Sequence, residues 1–156
     1  MIRSTSQSDK GSVAPIVFDY DFQSGEMAVR EALEHVLEKL APLDLTVEET
    51  GTVELVMAEV LNNIVEHAYA DKPDGGTINM RCSKKPDGLT VFIKDTGKMM
   101  PDGKLPTGTL ASLEVDLDDL PEGGFGWFLI QNLAKDVTYE RVGNQNVLKM
   151  RIVVGI

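Results

Sequence analysis

Four polar side chains interrupt an apolar stretch near the middle of the sequence. In EVLNNIVEH, residues 59–67, Glu59, Asn62, Asn63 and Glu66 recur at the spacing of one helix face. The other faces are almost wholly apolar, which favours a stripe that lines a cleft over a solvent-facing edge. A glutamate in an apolar groove is costly unless it is paired or functional. One turn beyond Glu59, the amide oxygen of Asn63 could ligate a hard cation such as Mg²⁺.

A second polar feature ends the predicted strand LTVFIKDTG, residues 89–97. Asp95 falls on the same face as the alternating apolar residues of this strand, so a buried carboxylate is expected there. A buried carboxylate needs a hydrogen-bond donor, and the amino group of adenine could supply one. Gly97 would then let the backbone approach a flat ring closely. An Asx-type turn that closes the strand is the alternative.

A third feature is the glycine-rich run GGFGWFLI, residues 123–130. Gly124 and Gly126 lead directly into a predicted helix, whose free N–H groups and dipole favour a phosphate. No Lys-Ser/Thr pair follows, so this is not a Walker A loop, and no strand leads into it as in a Rossmann fingerprint. The alternative is a glycine-rich turn in front of a core helix.

The elements that must position these residues follow the order β, α, α, β, β, loop, α, β, β. Ser24 is the expected cap of the first helix, and Thr46 with Glu49 forms a capping-box pattern for the second. This pattern predicts helices packed on one face of a mostly antiparallel, mixed sheet, in an α/β (α+β) two-layer sandwich. Strands are predicted at residues 16–22, 77–83, 89–95, 139–143 and 146–154, a long helix at 47–69, and a long loop at 97–124.

Length, charge and cysteine content narrow the function. The 156 residues suggest one domain at 16–156, after a disordered lead-in at 1–15. With 25 acidic and 15 basic residues and a net charge of −10, direct nucleic-acid binding is not expected. No apolar run reaches the roughly 20 residues of a membrane span, and the polar N-terminus is no secretory signal, so a cytoplasmic location is expected. The lone Cys82 excludes an internal disulfide and is expected to be a buried, inert thiol.

Taken in order, the motifs resemble those of a known superfamily. Glu-x-x-x-Asn on a helix, Asp-x-Gly after a strand, a long loop and Gly-x-Gly before a helix resemble the N-box and the two glycine boxes of the GHKL (Bergerat-fold) ATPases. AEVLNNIVEHAY and PEGGFGWFLIQNL resemble the anti-sigma-factor serine/threonine kinases of bacterial partner-switching systems. The resemblance covers the chain from Ile16 to its end and implies a Bergerat-type ATP-binding fold with a long lid loop.

The resemblance also implies a role for each motif residue. Glu59 would be the general base that activates the attacking hydroxyl, and Asn63 would ligate Mg²⁺ between the phosphates of ATP. Asp95 would accept a hydrogen bond from the adenine amino group, with Gly97 beside the ring. The remaining nucleotide-binding residues would be Gly124, Phe125 and Gly126, and residues 98–122 would form the lid.

The implied partners are a small antagonist protein, phosphorylated on serine or threonine, and a sigma factor that the kinase sequesters, with a homodimer as the common assembly. A nucleotide-binding module that sequesters a protein without kinase activity is the alternative, and the catalytic fragment of a sensor histidine kinase is a third possibility.

Two departures from the family pattern stand out. First, Glu122 precedes the glycines where some of these kinases carry a basic residue near the phosphates, although Lys98 or Lys104 could reach the phosphates instead. Second, the closing strand lacks the threonine that related ATP sites often place near adenine.

Overall fold

Five strands form one sheet in the structure, a computed structural model that describes residues 15–105 and 124–155. The predicted lead-in lies outside these residues except for Pro15, and so does the predicted lid beyond residue 105. The sheet order is β1-β2-β3-β5-β4, and all four pairs are antiparallel. The strands are β1 Ile16–Gln23, β2 Thr77–Lys85, β3 Gly88–Asp95, β4 Lys135–Val142 and β5 Gln145–Ile152.

Three α-helices cover one face of this sheet. Alternate residues of the strands, such as Ile78, Val91 and Met150, join helix residues in one apolar core. The predicted two-layer fold class is therefore confirmed, and among the described strands the sheet is antiparallel throughout rather than mixed. The helices are α1 Glu26–Leu40, α2 Val47–Asn63 and α3 Gly124–Leu133, with short 3₁₀ turns at Ala41–Leu43 and Pro101–Gly103.

The start of α2 is fixed by the predicted capping box. Thr46 Oγ1 accepts from the backbone N–H of Glu49 at 3.0 Å, and Glu49 Oε1 accepts from the N–H of Thr46 at 2.9 Å. Glu49 Oε2 also accepts from the N–H of Gly155 at 2.7 Å, which ties the helix to the end of the described chain. Two of the orphan donors of the first turn are thus satisfied locally.

The predicted cap of α1 is wrong. Ser24 makes no cap hydrogen bond, and Gly25 holds the cap position. The Ser24 hydroxyl instead accepts from the backbone N–H of Gly76 at 3.0 Å, and the Ser24 N–H donates to the Gly76 carbonyl at 2.8 Å. The Ser24 side chain therefore bonds to a residue distant in sequence and not to the start of α1, as the local pattern had predicted.

The long helix predicted to reach Tyr69 changes its geometry after Asn63. Residues Ile64–Ala68 form a π-helical turn, in which the Tyr69 N–H donates to the Ile64 carbonyl at 3.0 Å. The wider turn departs from the 3.6-residue period on which the predicted stripe depends. Glu66, which lies within this turn, is exposed.

Cys82 lies on the core face of β2, as predicted, and burial raises the pKa of its thiol to about 12. Within the described parts of the chain, no helix is both long enough and apolar enough to cross a membrane.

Candidate functional site

The polar stripe on α2 divides into two pairs. Glu59 and Asn63 are half-buried, whereas Asn62 and Glu66 are exposed. The Asn63 amide N–H donates to the backbone carbonyl of Glu59 at 2.7 Å, which fixes the orientation of the amide. Its oxygen, Oδ1, has no hydrogen-bond partner among the described residues, so one hard oxygen of this helix segment is left available.

The first turn of α3 lies directly against Glu59. A Cβ added to Gly126 would lie 2.3 Å from Glu59 Oε1 and 3.7 Å from Asn63 Nδ2. Only glycine therefore fits at position 126 while the glutamate keeps this position. Gly124 and Phe125 belong to the same turn, whose backbone N–H groups have no intrahelical acceptor. The Glu59 carboxylate, the Asn63 amide and a helix N-terminus, whose dipole and free N–H groups favour an anion, thus lie together.

The donor set around Asn63 fits Mg²⁺ held mainly by phosphate and water. In residues 15–105 and 124–155, no group of three or more His, Cys, Asp or Glu side chains could hold a metal ion. Mg²⁺ commonly takes one or two protein oxygens and completes its shell with water and substrate phosphates.

Asp95 is buried at the end of β3, with 6% of its surface exposed. Its Oδ1 accepts from the Gly97 N–H at 2.8 Å and from Asn146 Nδ2 at 2.7 Å. Burial raises the pKa of this carboxyl, while the hydrogen bonds from Asn146 and Gly97 and the charge of Arg141 lower it in part. The bond to Gly97 is the Asx-type turn that was the alternative interpretation. It uses only one oxygen, and Oδ2 has no hydrogen-bond partner among the described residues.

Gly97 is required by a close contact with the end of the π-helical turn. A Cβ at this position would lie 2.4 Å from the backbone oxygen of Ala68, and the next N–H, of Lys98, donates to that oxygen at 2.7 Å. The close approach expected at Gly97 therefore exists, but it is made to Ala68; an approach to an adenine ring stays a prediction. Glu59 of α2 thus contacts the glycine-rich start of α3, and Ala68 of the following π-helical turn contacts the Asp-x-Gly turn.

Three residues of this region have no role in the sequence-based prediction. Asn146 faces Asp95 across the β3–β5 pair and donates to it, and Tyr139 and Arg141 of β4 both donate to Asn146 Oδ1. A signal for Asn146 was present. It continues the alternation of Leu148, Met150 and Ile152, which places a polar side chain on the core face of β5.

The two lysines considered for the phosphates are both exposed, and their approach to a bound phosphate stays a prediction. Lys98 is exposed and pairs with the equally exposed Asp71 at 3.4 Å. Lys104 is also exposed. Glu122 lies outside the described residues, so its predicted effect on a phosphate clamp stays a prediction.

Comparison with known proteins identifies the family of the chain. Residues 22–152 match the family described as the histidine kinase-like ATPase domain. The chain is 30% identical over 95 residues to proteins named serine-protein kinase RsbW from Staphylococcus aureus strains bovine RF122 / ET3-1, MRSA252 and JH9. The aligned part covers 60% of this chain and 59% of the length of these curated relatives. Since the family match spans most of the chain and includes all three motifs, the chain belongs to the histidine kinase-like ATPase domain family.

Proposed function

We propose that the chain is an ATP-dependent serine/threonine protein kinase that acts as an anti-sigma regulatory factor. One observation carries the proposal: the Glu59 carboxylate lies against Gly126 in the first turn of α3. A base held at an anion-binding helix terminus is suited to act beside the terminal phosphate of a nucleotide. The three relatives named above all carry the name serine-protein kinase, which supports phosphotransfer to protein.

In this proposal each motif residue has one task. Glu59 accepts the proton of the attacking serine or threonine hydroxyl, and the N–H groups of the α3 first turn bind phosphate oxygens. Asn63 Oδ1 would hold Mg²⁺, which would supply charge neutralisation on the phosphates. Asp95 Oδ2 accepts from the adenine amino group. Positioning and charge neutralisation account for most of the catalysis in phosphoryl transfer, so the fixed orientation of Asn63 is the structural requirement.

The proposed partners are a small antagonist protein, which accepts the phosphate, and a sigma factor, which the kinase sequesters. The kinase itself would be a homodimer and would act in the cytoplasm. Residues 16–156 would form the single ATP-binding kinase domain. The net charge of −10 favours partners with basic surfaces. Co-purification from the source cell, followed by identification of the bound proteins, would name both partners.

Phosphotransfer from γ-labelled Mg-ATP to candidate antagonist proteins tests the kinase assignment. Glu59→Gln keeps the shape of the side chain and removes the base, so the transfer rate should fall by about 10² to 10⁴ while ATP still binds. Glu66→Gln is the matched control, because Glu66 was predicted on the same helix face but is exposed. Transfer by Glu59→Gln at the rate of Glu66→Gln would refute the role of Glu59.

A nucleotide-binding module that sequesters a partner without phosphorylating it is the second candidate. The observation that favours it is the pairing of Lys98 with Asp71, because this ion pair must break before Lys98 could bind a phosphate. Wild-type protein that binds ATP tightly, retains a protein partner and transfers no phosphate to any candidate would establish this second function.

A further inference from the structure

The side chain of Asn146 uses all of its hydrogen-bonding capacity inside the protein. It is 5% exposed and lies opposite Asp95 in the β3–β5 register. Its Nδ2 donates to Asp95 Oδ1 at 2.7 Å and to the Lys98 carbonyl at 3.0 Å, with a longer contact of 3.4 Å to the Gly97 carbonyl. An amide nitrogen has two protons, so this side of the amide is fully occupied.

The oxygen of the same amide is held from the neighbouring strand. Tyr139 Oη and Arg141 Nη1 both donate to Asn146 Oδ1, the latter at 3.1 Å. Tyr139 Oη also accepts from the Met100 N–H at 3.0 Å, and Arg141 Nη1 donates to the Gly97 carbonyl at 2.7 Å. The amide cannot rotate without breaking bonds on both sides, so its orientation is determined by the network.

We infer that Asn146 is a positioning residue that makes the proposed ATP site selective for a purine with a 6-amino group. The inference rests on the proposed function. Because Oδ1 of Asp95 is engaged by Asn146 and Gly97, rotation of the carboxylate is blocked and Oδ2 is the oxygen left for a ligand. An acceptor held in this position favours binding of a nucleobase that offers a hydrogen-bond donor. Opposite a nucleobase without a donor the acceptor stays unpaired, which weakens binding.

The same amide fixes the chain just beyond the base-recognition turn. Through the carbonyls of Gly97 and Lys98, Asn146 and Arg141 hold the backbone immediately after Asp95, and Tyr139 holds the Met100 N–H. Asn146 is thus the one side chain that bonds both Asp95 and the backbone of this turn. Its loss should leave Asp95 Oδ1 with the Gly97 N–H alone and the Lys98 carbonyl without its side-chain donor.

Calorimetric titration with ATP and with the triphosphate of purine riboside, which lacks the 6-amino group, tests the inference. Wild-type protein should prefer ATP by about tenfold, the effect of one well-placed hydrogen bond to a charged acceptor. Asn146→Leu is nearly isosteric but has no donor and no acceptor, so it should lose most of this preference, with Gly97 alone left to hold Asp95. Gln145→Leu, the same type of change at the exposed neighbouring residue, should keep the wild-type preference.

The outcomes separate the inference from the proposed function. An unchanged preference in Asn146→Leu would overturn the inference alone, whereas wild-type protein that binds no ATP would overturn both. If Asn146→Leu fails to fold, Tyr139→Phe decides, because it removes only the hydroxyl that holds Asn146 Oδ1 and the Met100 N–H. The preference of Tyr139→Phe should fall about twofold to fivefold. A folded Tyr139→Phe with the full wild-type preference would refute the role of the network.

Discussion

Replacement of Gly126 by alanine would place a methyl group in the space that Glu59 occupies. The added carbon would lie 2.3 Å from Glu59 Oε1, whereas ordinary contact begins at 3.4 Å. The carboxylate oxygen must therefore retreat by about 1 Å, which it can do because it is the end of a flexible side chain. A displacement of this size at a reacting group costs about 10² in rate. We expect Gly126→Ala to lower the rate of phosphotransfer by about that factor.

The same substitution should not weaken the fold. Gly126 lies in α3, where alanine is favoured over glycine by about 0.5–1 kcal/mol. The collision is relieved by moving one side chain, so the free energy of unfolding should stay level or rise slightly. Urea denaturation and the phosphotransfer assay together should thus show a folded, stable and slow enzyme.

Gly51→Ala is the control for this experiment. Gly51 lies in α2, the helix that carries Glu59, and an added Cβ there would meet nothing within 4 Å. It should gain similar stability and keep full activity. If Gly126→Ala transfers phosphate as fast as Gly51→Ala, the position of the Glu59 carboxylate does not matter to the reaction, and the assignment of the base is refuted.

Three further predictions concern other parts of the structure. Hydrogen bonds from the backbone N–H groups of Thr46 and Gly155 hold the pKa of Glu49 below its ordinary 4.5 in the folded protein. The stability that these bonds confer is therefore present above about pH 4.5 and is lost as the pH falls through the lowered pKa of the folded state. The difference in urea midpoint between wild type and Glu49→Gln should therefore shrink from about pH 6 to about pH 3, and a constant difference would contradict this linkage. Asp95→Asn should lower the affinity for ATP about tenfold in calorimetry, because its NH₂ group can take the place of the free acceptor Oδ2. The free energy of unfolding at neutral pH should not fall, since the variant removes a buried charge. Unchanged ATP affinity in that variant would exclude Asp95 from base recognition. Cys82, with its thiol pKa raised to about 12 by burial, should react with a thiol reagent only as fast as the protein unfolds, and immediate labelling of folded protein would show that the thiol is accessible.

Patterns within a single element predicted much of the fold and of the site. The alternation of β3 placed Asp95 on the buried face, and the Thr46–Glu49 spacing located the start of α2. Helical spacing brought Glu59 and Asn63 together, and the structure finds them adjacent and half-buried. In each case the cause lies within a few residues, where periodicity and capping act directly.

Features that depend on distant residues could not be obtained in this way. Ser24 has the chemistry of a helix cap, but Gly76, 52 positions away, takes its hydroxyl. The π-helical turn at Ile64–Ala68 leaves no trace in apolar spacing, because the helix ends with this turn and no later helical residues show the shifted period. Asn146 has a role only through its register with Asp95, and strand pairing is not visible within one strand.

The π-helical turn also determines where the chain can change in length. The segment is anchored at Thr46 by the capping box and at Tyr69, whose hydroxyl donates to the Thr77 carbonyl and accepts from the Thr96 N–H. Deleting one residue within 64–68 would convert the wide turn into ordinary α-helix and keep Glu59 in register with its cap. A deletion between residues 51 and 58 would instead rotate Glu59 by about 100° relative to the capped end. Single-residue deletions are therefore expected to be tolerated in natural variants at the wide turn and not in the helix before it.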